Sequence, residues 1–234
     1  TVGEGAGSIA SNTVVGNLAL DANTTGIRNA AFGQGALTEN TTGNDNSAFG
    51  YYVLDAVTTG SENTAMGRSA AGNITTGDSN TAVGKYSLLS TTTASYNTAI
   101  GAGSLQTNTT GAQNVAIGYN SLYASTTSDA NTSIGYYALT ANTTGGYNIA
   151  LGHSALVANT TGVNNVAIGY QTLNNSTDKF ANVAIGYRAC KNNNSSYGVF
   201  IGDRAASNGI VGGEKNVAVG HYSLFALTTG AYNT

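Results

Sequence analysis

The residues able to do acid, base, nucleophilic or metal chemistry are few in this chain, and their spacing brings no such group together. His153 and His221 stand four repeats apart, roughly 19 Å in a stack of strands spaced about 4.8 Å, too far to share a metal. The single cysteine, Cys190, excludes an internal disulfide framework and a cysteine metal cluster. Eleven acids and eight bases are scattered over 234 residues with no Asp column and no Gly-Gly-x-Gly-x-Asp spacing, so a calcium-binding roll is not expected. No nucleophile elbow, phosphate loop or paired carboxylate appears. The expectation is a non-catalytic protein with no cofactor and no metal.

Charge excludes another class. Charged residues make up 8% of the chain against about 25% in ordinary domains, and the net charge is −3. Such a chain has no basic groove for nucleic acid. No apolar run approaches the roughly 18 residues that span a bilayer, and no basic-then-apolar leader opens the sequence, which reads as a soluble, processed or excerpted piece without membrane insertion.

What remains is contact chemistry. Of fourteen tyrosines, nine fall at two adjacent places of a repeat: Tyr51, Tyr52, Tyr86, Tyr119, Tyr136, Tyr137, Tyr170, Tyr187 and Tyr222. Rings edged by Asn, Thr and Ser suit protein or carbohydrate surfaces, because the ring gives apolar contact and its neighbours satisfy hydroxyl or backbone groups. Tyr51, Tyr52, Tyr119, Tyr136, Tyr137, Tyr170 and Tyr187 are therefore the candidate ligand-contacting residues. The competing expectation is that these rings cover a coil edge or a subunit seam.

The repeat positions them. Asn recurs every 17 residues from Asn12 to Asn182, the step then slips to 16 at Gly198, recovers with 18 at Asn216 and ends at Asn233. Numbering from that Asn, position 5 is always Gly, position 4 a large apolar residue, position 3 mostly Ala and position 9 mostly Leu, with Thr-Thr-Gly near the end. Seventeen residues are too few for a helical hairpin, and short β-branched segments closed by Gly read as coils of a parallel β-solenoid. About thirteen coils at 4.8 Å predict a rod roughly 62 Å long. The boundaries are a Gly-rich lead-in over 1–11, regular coils over 12–181, irregular coils over 182–215 and a truncated last repeat over 216–234. The invariant Gly is expected at a corner with positive φ or close coil-to-coil approach, and the Asn column to hydrogen-bond along itself.

Faces follow from strand alternation. With positions 4 and 9 assigned to the interior, position 3 points out, and its stripe of small residues becomes a chain-to-chain seam: Ala48, Ala65, Ala82, Ala99, Ala116, Ala150, Ala167 and Ala184. Cys190, replacing a position-9 Leu, is expected to be a buried small hydrophobe. The double Thr column raises a remote ice-binding alternative, with only one of the two columns able to face out. Asn-Thr-Thr triplets such as Asn23 and Asn40 also fit glycosylation acceptors.

Segments such as Asn114-Val115-Ala116-Ile117-Gly118-Tyr119-Asn120-Ser121-Leu122 and Asn165 to Tyr170 resemble the head repeats of trimeric autotransporter adhesins, the YadA-like head, and the wider unit is similar to arrays in bacterial and phage tail-fibre proteins. The resemblance covers residues 12–234. It implies a left-handed parallel β-roll, three chains side by side, and an extracellular fibre on a cell surface or virion that binds a host or environmental protein or glycan. The usual family unit is shorter, about 14 residues. A purely structural self-assembling filament subunit is the alternative. Residues 1–78 hold seven acids against Arg28 and Arg68, and residues 179–234 hold five bases against Asp203 and Glu214, a polarity suited to head-to-tail contact between copies.

Overall fold

The computed structural model describes residues 2–3, 9–208, 213–225 and 230–233, and the chain divides into two compact units, Thr1–Asn114 and Val115–Thr234. Residues 1 and 4–8 of the lead-in, 209–212 of the irregular stretch, and 226–229 and 234 of the last repeat lie outside the described residues. Each unit is a parallel β-solenoid without helix among the described residues.

The first unit carries β1 (Val2–Gly3), β2 (Thr13–Val15), β3 (Ala30–Phe32), β4 (Ser47–Phe49), β5 (Thr64–Met66), β6 (Thr81–Val83) and β7 (Thr98–Ile100). The second carries β8 (Val115–Ile117), β9 (Thr132–Ile134), β10 (Ile149–Leu151), β11 (Val166–Ile168), β12 (Val183–Ile185), β13 (Val199–Ile201) and β14 (Val217–Val219). Within each unit neighbouring coils pair in parallel and in register, as Val166 with Val183 and Ile168 with Ile185. The 16-residue step leaves register intact, since Val183 pairs with Val199. The lead-in adds what the repeat does not announce: β1 runs antiparallel to β2, Val2 opposite Val15, and so covers an outer sheet edge.

One coil is built from three strand residues and a series of left-handed turns. Position-5 Gly holds φ between 121° and 144°, and a Cβ on Gly118 would lie 2.5 Å from the carbonyl oxygen of Gly135 on the next coil. Both reasons anticipated for glycine therefore apply at once. Positions 7, 9 and 17 also adopt positive φ, including Leu122 at 51° and Leu156 at 51°. None of the 37 positive-φ non-glycine residues among those described is Val, Ile or Thr, because a β-branched side chain is the one least compatible with this region. That is why the inner column is Leu while the strands use Ile and Val.

The two faces of the strand are the reverse of the expectation. Ala48, Ala65, Ala82, Ala99, Ala116, Ala150, Ala167 and Ala184 are all fully buried, so they form no chain-to-chain seam. Position 4 points outward: Ile117 is half-exposed, Ile134 is 38% exposed and Met66 51%. The coil interior is narrow, and it is already occupied by the position-9 Leu column, fully buried from Leu20 to Leu173 where Leu is present. Only a small side chain fits opposite it, and position 3 faces position 8 there, which is mostly Ala or Ser, with Val53 and Thr172 the exceptions. Cys190 is buried in this column as anticipated, and burial pushes its thiol well above the ordinary range, which keeps it protonated.

Asparagine supplies the polar half of the core. Position-1 Asn accepts the next Asn backbone N–H, as Asn29 Oδ1 does from Asn46 at 3.0 Å, while its Nδ2 donates to a carbonyl fourteen residues on, Gly43 O at 2.8 Å. Each buried amide is thereby satisfied without charge. The column breaks at Gly198 because the buried ring of Phe200, two residues on, fills the space that a Cβ there would need. Gly198 N still donates to Asn182 Oδ1 at 2.9 Å.

Position 12 forms a second buried column, and it is correlated with position 15. Asn142 at position 12 faces Gly145, where a Cβ would meet Asn142 Oδ1 at 2.6 Å. Where position 15 of a regular 17-residue coil carries a side chain, at Ala94, Ser128 and Lys179, position 12 is the smaller Thr91, Ser125 or Ser176; in the 16-residue coil Asn193 stays and donates to Ser195 O at 2.8 Å. Asn40 Oδ1 has no partner because the next coil offers Val57, and Asn159 Oδ1 and Ser176 Oγ both lack one where Asn gives way to Ser.

Candidate recognition surface

The position-5 glycine turns the chain so that positions 6 and 7 leave the coil sideways, one pair per coil. In the second unit this stacks side chains at the coil rise. Tyr119 and Tyr136 lie 5.4 Å apart at 19°, Tyr136 and His153 5.1 Å apart at 23°, His153 and Tyr170 5.1 Å apart at 31°, and Tyr170 and Tyr187 5.4 Å apart at 8°. The four tyrosines of this ladder are each 39–47% exposed. Tyr137 at position 7 packs edge-on to Tyr136 at 4.4 Å and to Tyr119 at 5.5 Å. The structure thus brings Tyr119, Tyr136, Tyr137, Tyr170 and Tyr187 into one cluster, with His153 in the middle.

Cations close the ladder. The Arg188 guanidinium lies 5.9 Å from the Tyr170 ring and 5.1 Å from the Tyr187 ring, with Nε donating to Gln171 Oε1 at 3.0 Å. The Arg204 guanidinium lies 5.1 Å from Tyr187 and 5.4 Å from Tyr222, and its Nη1 donates to the Tyr222 hydroxyl at 2.7 Å. Asp203 pairs with His221 Nδ1 at 3.0 Å and lies 3.6 Å from Arg204.

Tyr51 and Tyr52, in the first unit, form a separate edge-on pair at 4.5 Å, with Tyr52 lying over Gly35 and Arg68 between Tyr51 and Tyr86 at 5.9 Å and 5.8 Å. They belong to a shorter, mixed aromatic and cationic group of that unit. The geometry also corrects how such rings present themselves. The inner rings Tyr136, His153 and Tyr170 are covered on both faces, so what they turn to solvent is mainly the ring edge and, for the tyrosines, the phenol oxygen.

Two further surfaces are not announced by the repeat. Tyr96, Tyr147 and Tyr232 occupy position 17 and are 63%, 65% and 72% exposed, more than the ladder rings, and Tyr197, at the equivalent place of the 16-residue coil, is 47% exposed. Their recurrence at irregular intervals hid them. The larger omission is the outer strand face. In the second unit positions 2 and 4 of β8 to β14 give fourteen outward side chains, and only Thr132 among them is polar. The signal was there in Val115, Val166, Val183, Val199 and Val217, which strand alternation sets on the same side as position 4. The first unit places Ala, Ser and Thr at position 2 beside Val15, Phe32, Phe49, Met66, Val83 and Ile100, with Phe32 and Phe49 stacked at 4.9 Å.

The remaining polar columns are used structurally. Position-13 threonines donate their hydroxyls to the next coil, as Thr143 Oγ1 to Thr160 O at 3.0 Å and Thr41 Oγ1 to Thr58 O at 3.0 Å. Position 14 is the exposed Thr column. A cleft of about 500 Å³ is lined by Asn175, Thr177, Asn192, Asn193, Asn194 and Asn208, whose amides pair partly with each other, Asn175 Nδ2 to Asn192 Oδ1 at 2.7 Å. No group of three His, Cys, Asp or Glu able to hold a metal occurs among the described residues, and no helix there is long and apolar enough to cross a membrane. Comparison of the chain with protein families, with curated proteins and with solved structures found no match.

Proposed function

We propose that this chain is a non-catalytic segment of an extracellular fibre or adhesin, which associates side by side with copies of itself through its outer strand face and contacts surfaces through its aromatic ladder. The observation that carries the reading is the face of β8 to β14. Soluble monomers rarely leave a contiguous apolar strip in water, and a strip repeated coil after coil on a regular sheet is matched best by an identical strip. The resemblance to YadA-like heads, where three chains lie side by side, agrees with a parallel homotrimer; the surface responsible is Val166, Ile168, Val183, Ile185 and their neighbours, in place of the buried Ala column.

The aromatic ladder is made of side chains other than those of the strip, set two residues on from it across the glycine corner. Weak contacts repeated along a ladder and across copies add through effective concentration. The reading is tested by coating beads with the chain and measuring retention on extracellular-matrix and glycan surfaces. Replacing Tyr119, Tyr136, Tyr170 and Tyr187 by Ser should reduce retention while the unfolding midpoint stays near that of the parent. Unchanged retention would assign the ladder to packing and leave the structural filament subunit as the function.

A further inference from the structure

Building on the adhesive reading of the ladder, we propose that its specific ligand is a linear acidic polysaccharide, one anionic sugar residue meeting roughly one coil. A ligand that stacks on ring faces is disfavoured here, because Tyr136, His153 and Tyr170 each have a ring on both sides at 5.1–5.4 Å. The stacking mode that suits neutral sugars is therefore taken up within the protein. The ladder offers instead a row of ring edges, the electropositive side of the aromatic quadrupole, together with phenol O–H donors and an imidazole. A row of this kind favours acceptors and anions.

Charge points the same way. Between Tyr119 and Arg188 the residues at positions 6 and 7 include Asn120, Ser154 and Gln171 but no acid. Arg188 is held over Tyr170 and Tyr187 by Gln171, and among the described residues no carboxylate lies within ion-pair distance of it. Its neighbour Arg204 shares Asp203 with His221, so Arg188 carries the larger part of the attraction. The rise of about 4.8 Å per coil is close to the length of one sugar unit in an extended chain, which lets a regular polymer stay in step with the ladder. Single-stranded nucleic acid is the less suited polyanion, since its bases bind by stacking on aromatic faces, and the faces of Tyr136, His153 and Tyr170 are taken up within the ladder.

The test immobilises the full chain and measures binding of polygalacturonate and dextran sulfate against neutral dextran and single-stranded DNA. The expected result is binding of both acidic polysaccharides well above dextran and DNA, weakening as salt is raised. Arg188→Gln with Arg204→Gln should lose about tenfold or more in affinity. Tyr119→Phe, Tyr136→Phe and Tyr170→Phe together, which keep the stack and remove the hydroxyls, should lose several-fold. Equal binding of dextran or DNA, an unaffected arginine variant, or an unaffected phenylalanine variant overturns the proposal. If no polysaccharide binds while the four-Ser ladder variant still loses bead retention, the adhesive reading stands and only this ligand class falls; if retention is also unchanged, both fall.

Discussion

The hydroxyl of Ser121 lies 2.7 Å from that of Ser133, twelve residues further on, and this contact fixes which way the strand faces. Ser121 is at position 8 and Ser133 at the position otherwise held mostly by Ala. Both are fully buried, and Ser133 Oγ is satisfied in turn by Ala138 O at 2.9 Å. Position 3 therefore faces position 8 inside the coil. Enlarging it should cost stability: Ala167→Leu, at a fully buried site, is expected to lower stability by about 1–3 kcal/mol through overpacking, read from chemical denaturation midpoints. A neutral effect would return Ala to the surface.

Leu122 is fully buried at φ 51°, so its size and its backbone can be tested separately. Leu122→Ala should cost about 2–5 kcal/mol as a core truncation. Leu122→Ile keeps the volume but places a β-branched residue in the left-handed region, and should cost about 1–3 kcal/mol from backbone strain. An isoleucine variant as stable as the parent would show that the Leu preference is one of packing alone.

The correlation between positions 12 and 15 predicts a coupled pair. Gly145→Ala sets a methyl against both Gly162 O of the next coil and Asn142 Oδ1 and should be clearly destabilising. Asn142→Ser alone removes buried hydrogen bonds, including Asn142 Nδ2 to Gly145 O at 2.9 Å, and also destabilises. The double variant should lose less than the two single losses added together, by about 0.5 kcal/mol or more, as expected for residues in contact. Strict additivity would mean that the glycine is required only by the backbone of the next coil.

Two carboxylates of the first unit respond to pH in opposite senses. Burial raises the Asp55 carboxyl above its ordinary range, with a smaller contribution from Glu39, so the folded state binds that proton more readily than the unfolded chain. Its effect is then destabilising at neutral pH and relieved as pH falls through the raised value. Asp55→Asn should raise the thermal midpoint at pH 7, the gain shrinking in acid. Asp45, hydrogen-bonded by Arg28 Nε at 2.6 Å, is lowered instead, and what it contributes is present above the ordinary carboxylate value and lost as pH falls through the lowered one. That pair is exposed, so the Asp45 effect should be small and screened by salt.

The period, the coil length, the glycine corner and the Asn column were legible because each is a single residue type recurring at a fixed interval. The inside and outside of a three-residue strand were not. Ile117 and Ala116 are both apolar, and hydrophobicity alone places the larger one in the core; what reverses the assignment is the width of the coil, set by Leu122 entering from the opposite wall in a left-handed conformation. The tyrosines were found as a recurring pair of positions, and their stacking followed from the repeat. That stacking also hides their faces, a consequence visible only once Tyr136, His153 and Tyr170 are placed 5.1 Å apart.

Self-association through the outer strand face of the second unit is tested by sedimentation equilibrium on the parent chain and on Ile168→Asp with Ile185→Asp. Both side chains are half-exposed and point away from the core, so the double variant should retain the parent circular dichroism spectrum. The account predicts a stable oligomer, a trimer by resemblance, for the parent, and a folded monomer for the variant. A parent chain that sediments as a monomer at micromolar concentration, or a variant that remains oligomeric, would contradict it.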